Sequence, residues 1–282
     1  MSGRHAEIEA RIGAVHKLES VIAAMRGIAA SRVQEAERHL GSIRSYAATI
    51  GQAIGTALAV LPPGREDAAV ARRGPERRAV IVFAAEQGFA GAFTERVFDA
   101  AAPHLEGGAA LFLAGDRGLA AAGRRGLEVA WHAPMIAHPA QAPLLAGRLA
   151  EAAFPPESAP DRVVLVHAVP EPGGVPRAVA KQLAPFDYAR FPLRRAAVPP
   201  RITLPPRLLL ERLAEEHVFA ELAEAVMLSF AAENGARMRA MVAARDNTAE
   251  TLEELTGLAR RLRQEEITEE IVELATASLS GR

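Results

Sequence analysis

The chain has 282 residues, half of them hydrophobic and 24% charged, which gives ample core material and excludes a disordered protein. Its formal net charge of −1 argues against a nucleic-acid binder, since such proteins carry a large excess of positive charge to neutralise phosphates. With no cysteine, disulfides, thiolate nucleophiles, thiolate metal sites and redox control through the chain's own thiols are excluded.

The first predicted element is a helix over residues 4–60. Apolar residues fall at Ile8, Ile12, Val15, Leu18, Ile22, Met25, Ala29, Ala36, Leu40, Ile43, Ala47, Ile50, Ile54 and Ala57, mostly in steps of three and four. This is one stripe on a long helix, with enough alanine for a partner backbone to approach closely. Leu61-Pro62-Pro63-Gly64 stops it, because prolines cannot continue a helix. The opening Met1-Ser2-Gly3-Arg4-His5 leads into a charged amphipathic stretch rather than a signal-peptide core. No apolar run reaches the roughly 18 residues that span a bilayer. A cytosolic chain without direct membrane insertion is expected.

After the first helix the period changes. Residues 78–84 read as a strand, 92–102 as a helix, 109–114 as a strand, and Gly115-Asp116-Arg117-Gly118 as the turn into a helix ending near Gly126. Val129–Trp131 is a candidate strand, Pro143–Phe154 a helix and Asp161–His167 the clearest strand; Val179–Phe191 reads as a further one. Strands and helices alternating at these lengths imply a mostly parallel sheet, a Rossmann-like α/β domain. The prolines from Pro192 to Pro206 form an extended connector. A second helix covers residues 207–279, with Leu209, Leu213, Leu222, Val226, Met238, Met241, Leu252, Leu255, Leu262, Ile271 and Leu274 at helical spacing. Asn234-Gly235 and Gly257 are points of expected bending, each glycine costing about 1 kcal/mol relative to alanine.

Neither long helix can bury itself alone. At about 1.5 Å per residue they run roughly 85 and 110 Å, so both are expected to project from the body. Their charges are opposite: residues 4–60 hold seven Lys and Arg against five Glu, and residues 207–282 hold nine Arg against fifteen Asp and Glu. A long antiparallel two-helix coiled coil satisfies both stripes. The second helix, longer by about 16 residues, then extends past its partner by roughly 24 Å. The organisation is a coiled-coil helix over 1–61, an α/β domain over 76–192 and a second coiled-coil helix over 207–282.

The α/β segment invites a search for a site. Gly88-Phe89-Ala90-Gly91 follows a strand, but it has neither the spacing of a dinucleotide fingerprint nor a phosphate loop's Lys-Ser or Lys-Thr. The eight histidines form no metal-binding pair on a helix and read as loop or surface residues. No nucleophile elbow is present, and Glu265, Glu266, Glu269 and Glu270 read as a solvated helix face. No catalytic residue, cofactor or metal is expected.

Three segments carry a resemblance. Ala24-Met25-Arg26-Gly27-Ile28-Ala29-Ala30-Ser31-Arg32 is similar to a segment in the first helix of the F-type ATP synthase γ subunit. Glu233-Asn234-Gly235-Ala236-Arg237-Met238-Arg239-Ala240-Met241, with Ala243-Ala244-Arg245-Asp246-Asn247 after it, resembles a second family segment. Arg263-Gln264-Glu265-Glu266-Ile267-Thr268-Glu269-Glu270-Ile271 resembles a third. Order, spacing and length agree over essentially the whole chain.

The resemblance implies a central rotor stalk, non-catalytic itself. Its coiled coil would sit inside a ring of three α and three β subunits, and its α/β domain would form the foot against the membrane c-subunit ring and the ε subunit. The whole would lie at the cytoplasmic face of a bacterial plasma membrane. By the same resemblance Arg263, Gln264 and Thr268 match positions that hydrogen-bond a loop of a catalytic β subunit. Glu233 and Arg237 match a polar pair linked to that coupling contact, and Met25 and Arg26 match a stretch facing the β-subunit lever region. Arg26, Arg32, Arg38 and Arg44 recur every six residues, about 240° of helix per step; they form either a collar for acidic β-subunit segments or ordinary solvated charge. Two departures, Leu18 to Met25 without the family's lysines and Gly88-Phe89-Ala90-Gly91-Ala92 in place of its cysteine-containing turn, point to a divergent branch. Competing readings are a stand-alone coiled-coil scaffold with an α/β head and a small-molecule-binding α/β domain.

Overall fold

The computed structural model describes residues 2–60, 76–171, 173–195 and 200–280. In chain order the elements are α1 (Ser2–Val60), β1 (Arg78–Phe83), α2 (Phe93–Leu105), β2 (Ala110–Ala114), α3 (Asp116–Arg124), β3 (Val129–Ala133), α4 (Ala142–Ala153), β4 (Arg162–Val169), β5 (Arg177–Ala184) and α5 (Pro206–Ser280). The expected helix stop at Leu61 to Gly64 lies outside the described residues, as does part of the proline connector. Helix α5 is unbroken through Gly235 and Gly257. Two compact units result, one of residues 30–237 and one of the α1 residues up to Ala29 with the α5 residues from Met238 onward.

The larger unit is built on a five-stranded sheet in the order β3-β2-β1-β4-β5. Strands β1 to β4 pair in parallel, and β5 joins β4 antiparallel. The residue types explain these positions. In β1 and β4 nearly every side chain is buried, because a central parallel strand is covered on both faces and reads as a continuous apolar run. In β5 the pattern is largely half-exposed, which suits an edge strand containing Lys181 and Gln182. Side-chain alternation then divides the core. Ala79, Ile81, Phe83, Val163 and Leu165 pack with α1, α4 and α5. Val80, Val82, Leu111, Leu113, Val164 and Val166 pack mainly with α2 and α3.

The strand expected over 179–191 ends at Ala184. Pro185 follows, with no N–H to offer a ladder, and the chain turns through a short 3₁₀ segment at Tyr188–Arg190, where the Asp187 carboxylate accepts from Ala189 N at 2.9 Å. Residues 185–194 form a strap across both long helices. On α1 the strap passes Gly51, beside the Phe191 ring, and Gly55, whose carbonyl accepts from Arg194 N at 3.0 Å. On α5 it meets His217 through the edges of Phe186 and Phe191.

Gly55 is required sterically. A Cβ there would fall well inside van der Waals distance of the Pro192 carbonyl oxygen, a backbone atom. Helix propensity alone favours Gly→Ala by about 1 kcal/mol. We expect Gly55→Ala to reverse that sign and destabilise by about 1–3 kcal/mol through overpacking, read as a lowered melting temperature; an unchanged or raised value would refute the steric account.

Within this unit α1 and α5 run antiparallel, because partners rise in number on one helix as they fall on the other. Arg44 Nε meets Glu224 Oε1 at 2.7 Å, Tyr46 Oη donates to Glu216 at 2.6 Å, and Ile54, Ala57 and Leu58 pack with Leu210. The hydrogen bond to Glu216 pushes the Tyr46 phenol up to about 12. In the smaller unit Ile8, Ile22 and Ala29 are buried, spaced by whole heptads, as are Met241 and Thr248 of α5. Further along α5 the apolar side chains Ile267, Ile271, Val272 and Leu274 are all exposed, Leu274 at 71%.

Candidate functional site

Ligands in open α/β sheets bind outside the carboxyl ends of the strands, where the strand order reverses. Here the order reverses at β1, which lies between β2 and β4. The turn after β1, Glu86-Gln87-Gly88, offers two adjacent backbone N–H groups, the kind of nest that commonly receives an anion. Both are taken by the chain itself. Glu86 N and Gln87 N donate to the two carboxylate oxygens of Glu233 on α5, at 3.1 and 3.2 Å.

Glu233 is held in turn by Arg237, one helical turn along, with Nη2 donating to Oε1 at 2.5 Å. The rest of the Arg237 fork is also engaged: Nη2 reaches the Gln87 carbonyl at 3.2 Å, Nε the Gly88 carbonyl at 3.1 Å, and Nη1 the Asn234 side-chain oxygen at 3.0 Å. Asn234 Nδ2 donates to the Phe230 carbonyl at 2.8 Å. Glu233, Asn234 and Arg237 are each at most 4% exposed. A buried pair is tolerable only when such extra hydrogen bonds satisfy both partners. Glu86 extends the network outward, its Oε2 accepting from Met135 N at 2.7 Å and Asp116 N at 3.2 Å. Helix α5 is thereby pinned to the ends of β1, β3 and α3.

Beside this latch lies a cleft of about 280 Å³, lined by Arg32 of α1, Gln87, Met135, Gln141 and Phe230 among others. The latch also presents Phe89, which is 68% exposed and sits at φ +61°. A bulky L-residue in the left-handed region costs roughly 1–2 kcal/mol. Since its ring buries little, Phe89→Asn is expected to stabilise by about 0.5–1 kcal/mol; a lower melting temperature for this variant would show the ring is held by contacts it lacks here.

Of the residues singled out in the sequence, Glu233 and Arg237 come together at this latch. Met25 and Arg26 lie half-buried on the α1 part of the smaller unit, and Arg263, Gln264 and Thr268 are exposed on its α5 part. Among the described residues the side chains of Arg26, Arg263 and Gln264 make no hydrogen bond or ion pair within the chain; Thr268 Oγ1 donates to the Gln264 carbonyl at 2.8 Å. Of the four spaced arginines, Arg44 is engaged with Glu224 and Arg38 donates to the Gln34 carbonyl at 3.4 Å. Glu86 belongs to no motif, and its place in the turn after a buried strand is the signal for it in the sequence.

The surface reading of the histidines needs correction. His167 in β4 and His217 in α5 are 6% and 8% exposed. Burial is the leading cause that lowers each to about 4, with nearby Lys181 acting on both and Arg190 on His217. His217 belongs to a second polar cluster. The Glu221 Oε1 atom receives Lys181 Nζ at 3.0 Å, His217 Nε2 at 3.0 Å and the Arg190 guanidinium.

Comparison with known proteins agrees with the sequence resemblance. The family model for ATP synthase matches residues 4–279. An ATP synthase gamma chain from Parafrankia sp. is 30% identical over the full length of both chains. One from Solibacter usitatus is 27% identical over 98% of each, and one from Ruminococcus albus is 41% identical over 27% of this chain and 26% of its own. In fold, the chain resembles a structure of the rotor of Euglena gracilis mitochondrial ATP synthase, with TM-score 0.67 and 12% identity over 95% of this chain and all of that one. A central stalk and c-ring structure from Tetrahymena thermophila gives TM-score 0.53 and 17% identity over 79% and 99%. The chain belongs to the ATP synthase gamma chain family.

Proposed function

We propose that this chain is the γ subunit of a rotary F-type ATP synthase, the central stalk that couples rotation of a membrane c ring to ATP chemistry in a ring of three α and three β subunits. The observation that carries this reading is the match along residues 4–279, at full length to gamma chains. Its own polar groups support a non-catalytic role: the crevice where an α/β sheet ordinarily receives a ligand is filled by Glu233 and Arg237. Among the described residues no group of three or more His, Asp or Glu is placed to hold a metal.

In this reading residues 76–192 are the foot, facing the c ring and the ε subunit, while 1–61 and 207–282 supply the coiled coil within the catalytic ring. Arg263, Gln264 and Thr268 meet a loop of a β subunit, and their exposure leaves them free to do so. Met25 and Arg26 face the β-subunit lever region, and among the described residues the Arg26 side chain makes no hydrogen bond or ion pair. Glu233 and Arg237 support that coupling contact by fixing α5. The subunit is held peripherally at the cytoplasmic face of a bacterial plasma membrane through its partners; no described helix is long and apolar enough to cross a membrane.

The test is co-expression with matching α and β subunits, followed by size-exclusion chromatography and an ATPase assay. The chain should elute with the hexamer in stoichiometric amount. Failure to enter a hexamer, where a known γ subunit does so, would leave the stand-alone scaffold as the better reading.

A further inference from the structure

A stalk that turns against a load must resist slip between its foot and its shaft. Apolar packing holds surfaces together but is non-directional, and the face that α5 lays on the sheet is rich in Leu222, Ala223, Val226, Phe230 and Ala231. Rotational register needs bonds with direction. On α5 the buried polar ones fall at three levels. Glu221 is gripped by Lys181 of β5 and Arg190 of the strap. Ser229 Oγ accepts from Ala168 N of β4 at 3.3 Å. Glu233 and Arg237 hold the turn after β1. From Glu221 to Arg237 these span about 24 Å of helix axis and about 160° of its circumference.

The Glu221 level is the one that also engages α1. Its partner Arg190 lies in the strap, with the guanidinium over the rings of Phe186 and Phe191. The same strap is bonded to α1 through Arg194 N and the Gly55 carbonyl, and through Arg194 Nη1 and Gln52 Oε1 at 2.8 Å. One short segment therefore joins β5, α1 and α5.

We propose that Glu221, held by Lys181 and Arg190, together with the strap 185–194, is the joint through which torque passes between the sheet and both long helices. Glu221 is then a positioning residue for rotary coupling, and it touches neither nucleotide nor catalytic subunit. The inference rests on the rotor reading above, and the experiment separates the two.

Complexes of this chain with α and β subunits are assembled, fixed through the β subunits, and carry a bead on the foot; unloaded ATP hydrolysis and stall torque are both measured. Glu221→Gln keeps the shape and removes the charge. Removing one member of a buried charge cluster is the costly way to break it, so stall torque should fall by about half or more while unloaded hydrolysis stays at the parental rate. A merely structural role would lower assembly yield and hydrolysis together, or leave torque alone. Should Glu221→Gln fail to assemble, Lys181→Gln and Arg190→Lys decide the question, because both positions are partly exposed and each variant leaves Glu221 other partners. Reduced torque in these supports the joint, and parental torque overturns it. A parental complex that neither assembles nor rotates refutes the rotor reading instead.

Discussion

Arg237→Ala is expected to destabilise the larger unit by about 3–5 kcal/mol, the cost of leaving a buried carboxylate without its counter-ion. Glu233 would retain the N–H groups of Glu86 and Gln87 but lose its charge partner, and the carbonyls of Gln87 and Gly88 would lose their donors. Each buried orphan adds about 1–3 kcal/mol unless water reaches it. Replacing both members of a buried pair by apolar residues is often neutral. Here it should not be, because four backbone groups of the turn depend on the two side chains. The double variant Glu233→Met, Arg237→Met should therefore remain destabilised, and the amides of Glu86 and Gln87 should exchange with solvent as fast as those of an open loop. Native-like protection of those amides in the double variant would show that the turn is held by something other than the latch.

Acid should weaken the same unit through His167 and His217. Each is neutral when folded, lowered to about 4 chiefly by burial, against about 6.5 in an unfolded chain. Between these values the unfolded state binds more protons, so stability rises with pH there. The contribution is fully present above about pH 6.5 and is lost as pH falls toward 4. Each histidine supplies up to about 3 kcal/mol. Both histidines face Lys181 and Glu224, so the two contributions are not independent. The groups around His217 explain the sign: Glu221 Oε1 lies at 3.0 Å, yet Arg190 and Lys181 already neutralise it. Melting temperature followed from pH 7.5 to 4.5 should drop, and His217→Gln should flatten the curve. Parallel curves for parent and variant would show that His217 does not contribute to the acid loss.

The architecture was legible because period and punctuation agree. Arg78–Phe83 alternates between two cores, as a central strand must, and the heptad spacing from Ile8 to Ala29 is visible without coordinates. The strap was not legible. Val179 to Phe191 runs on in composition like one strand, and only the strap laid against both helices through Phe186, Phe191 and Arg194 shows where pairing ends. Glu233 and Arg237 stood out by resemblance, though nothing local told that their partners are backbone groups some 146 to 150 residues earlier. Glu221 was invisible for the same reason, since Lys181 and Arg190 reach it from elsewhere in the chain. Local pattern specifies elements, whereas directional bonds between distant segments appear only once the chain is folded.

The Glu233 carboxylate in the nest after β1 has one last consequence. A diffusing anion occupies such a nest only in proportion to its concentration, whereas a tethered one is present at an effective concentration fixed by geometry. Swings in the cell's phosphate and nucleotide pools therefore cannot compete it away. The chain has made its own permanent ligand, which keeps the crevice indifferent to diffusing anions.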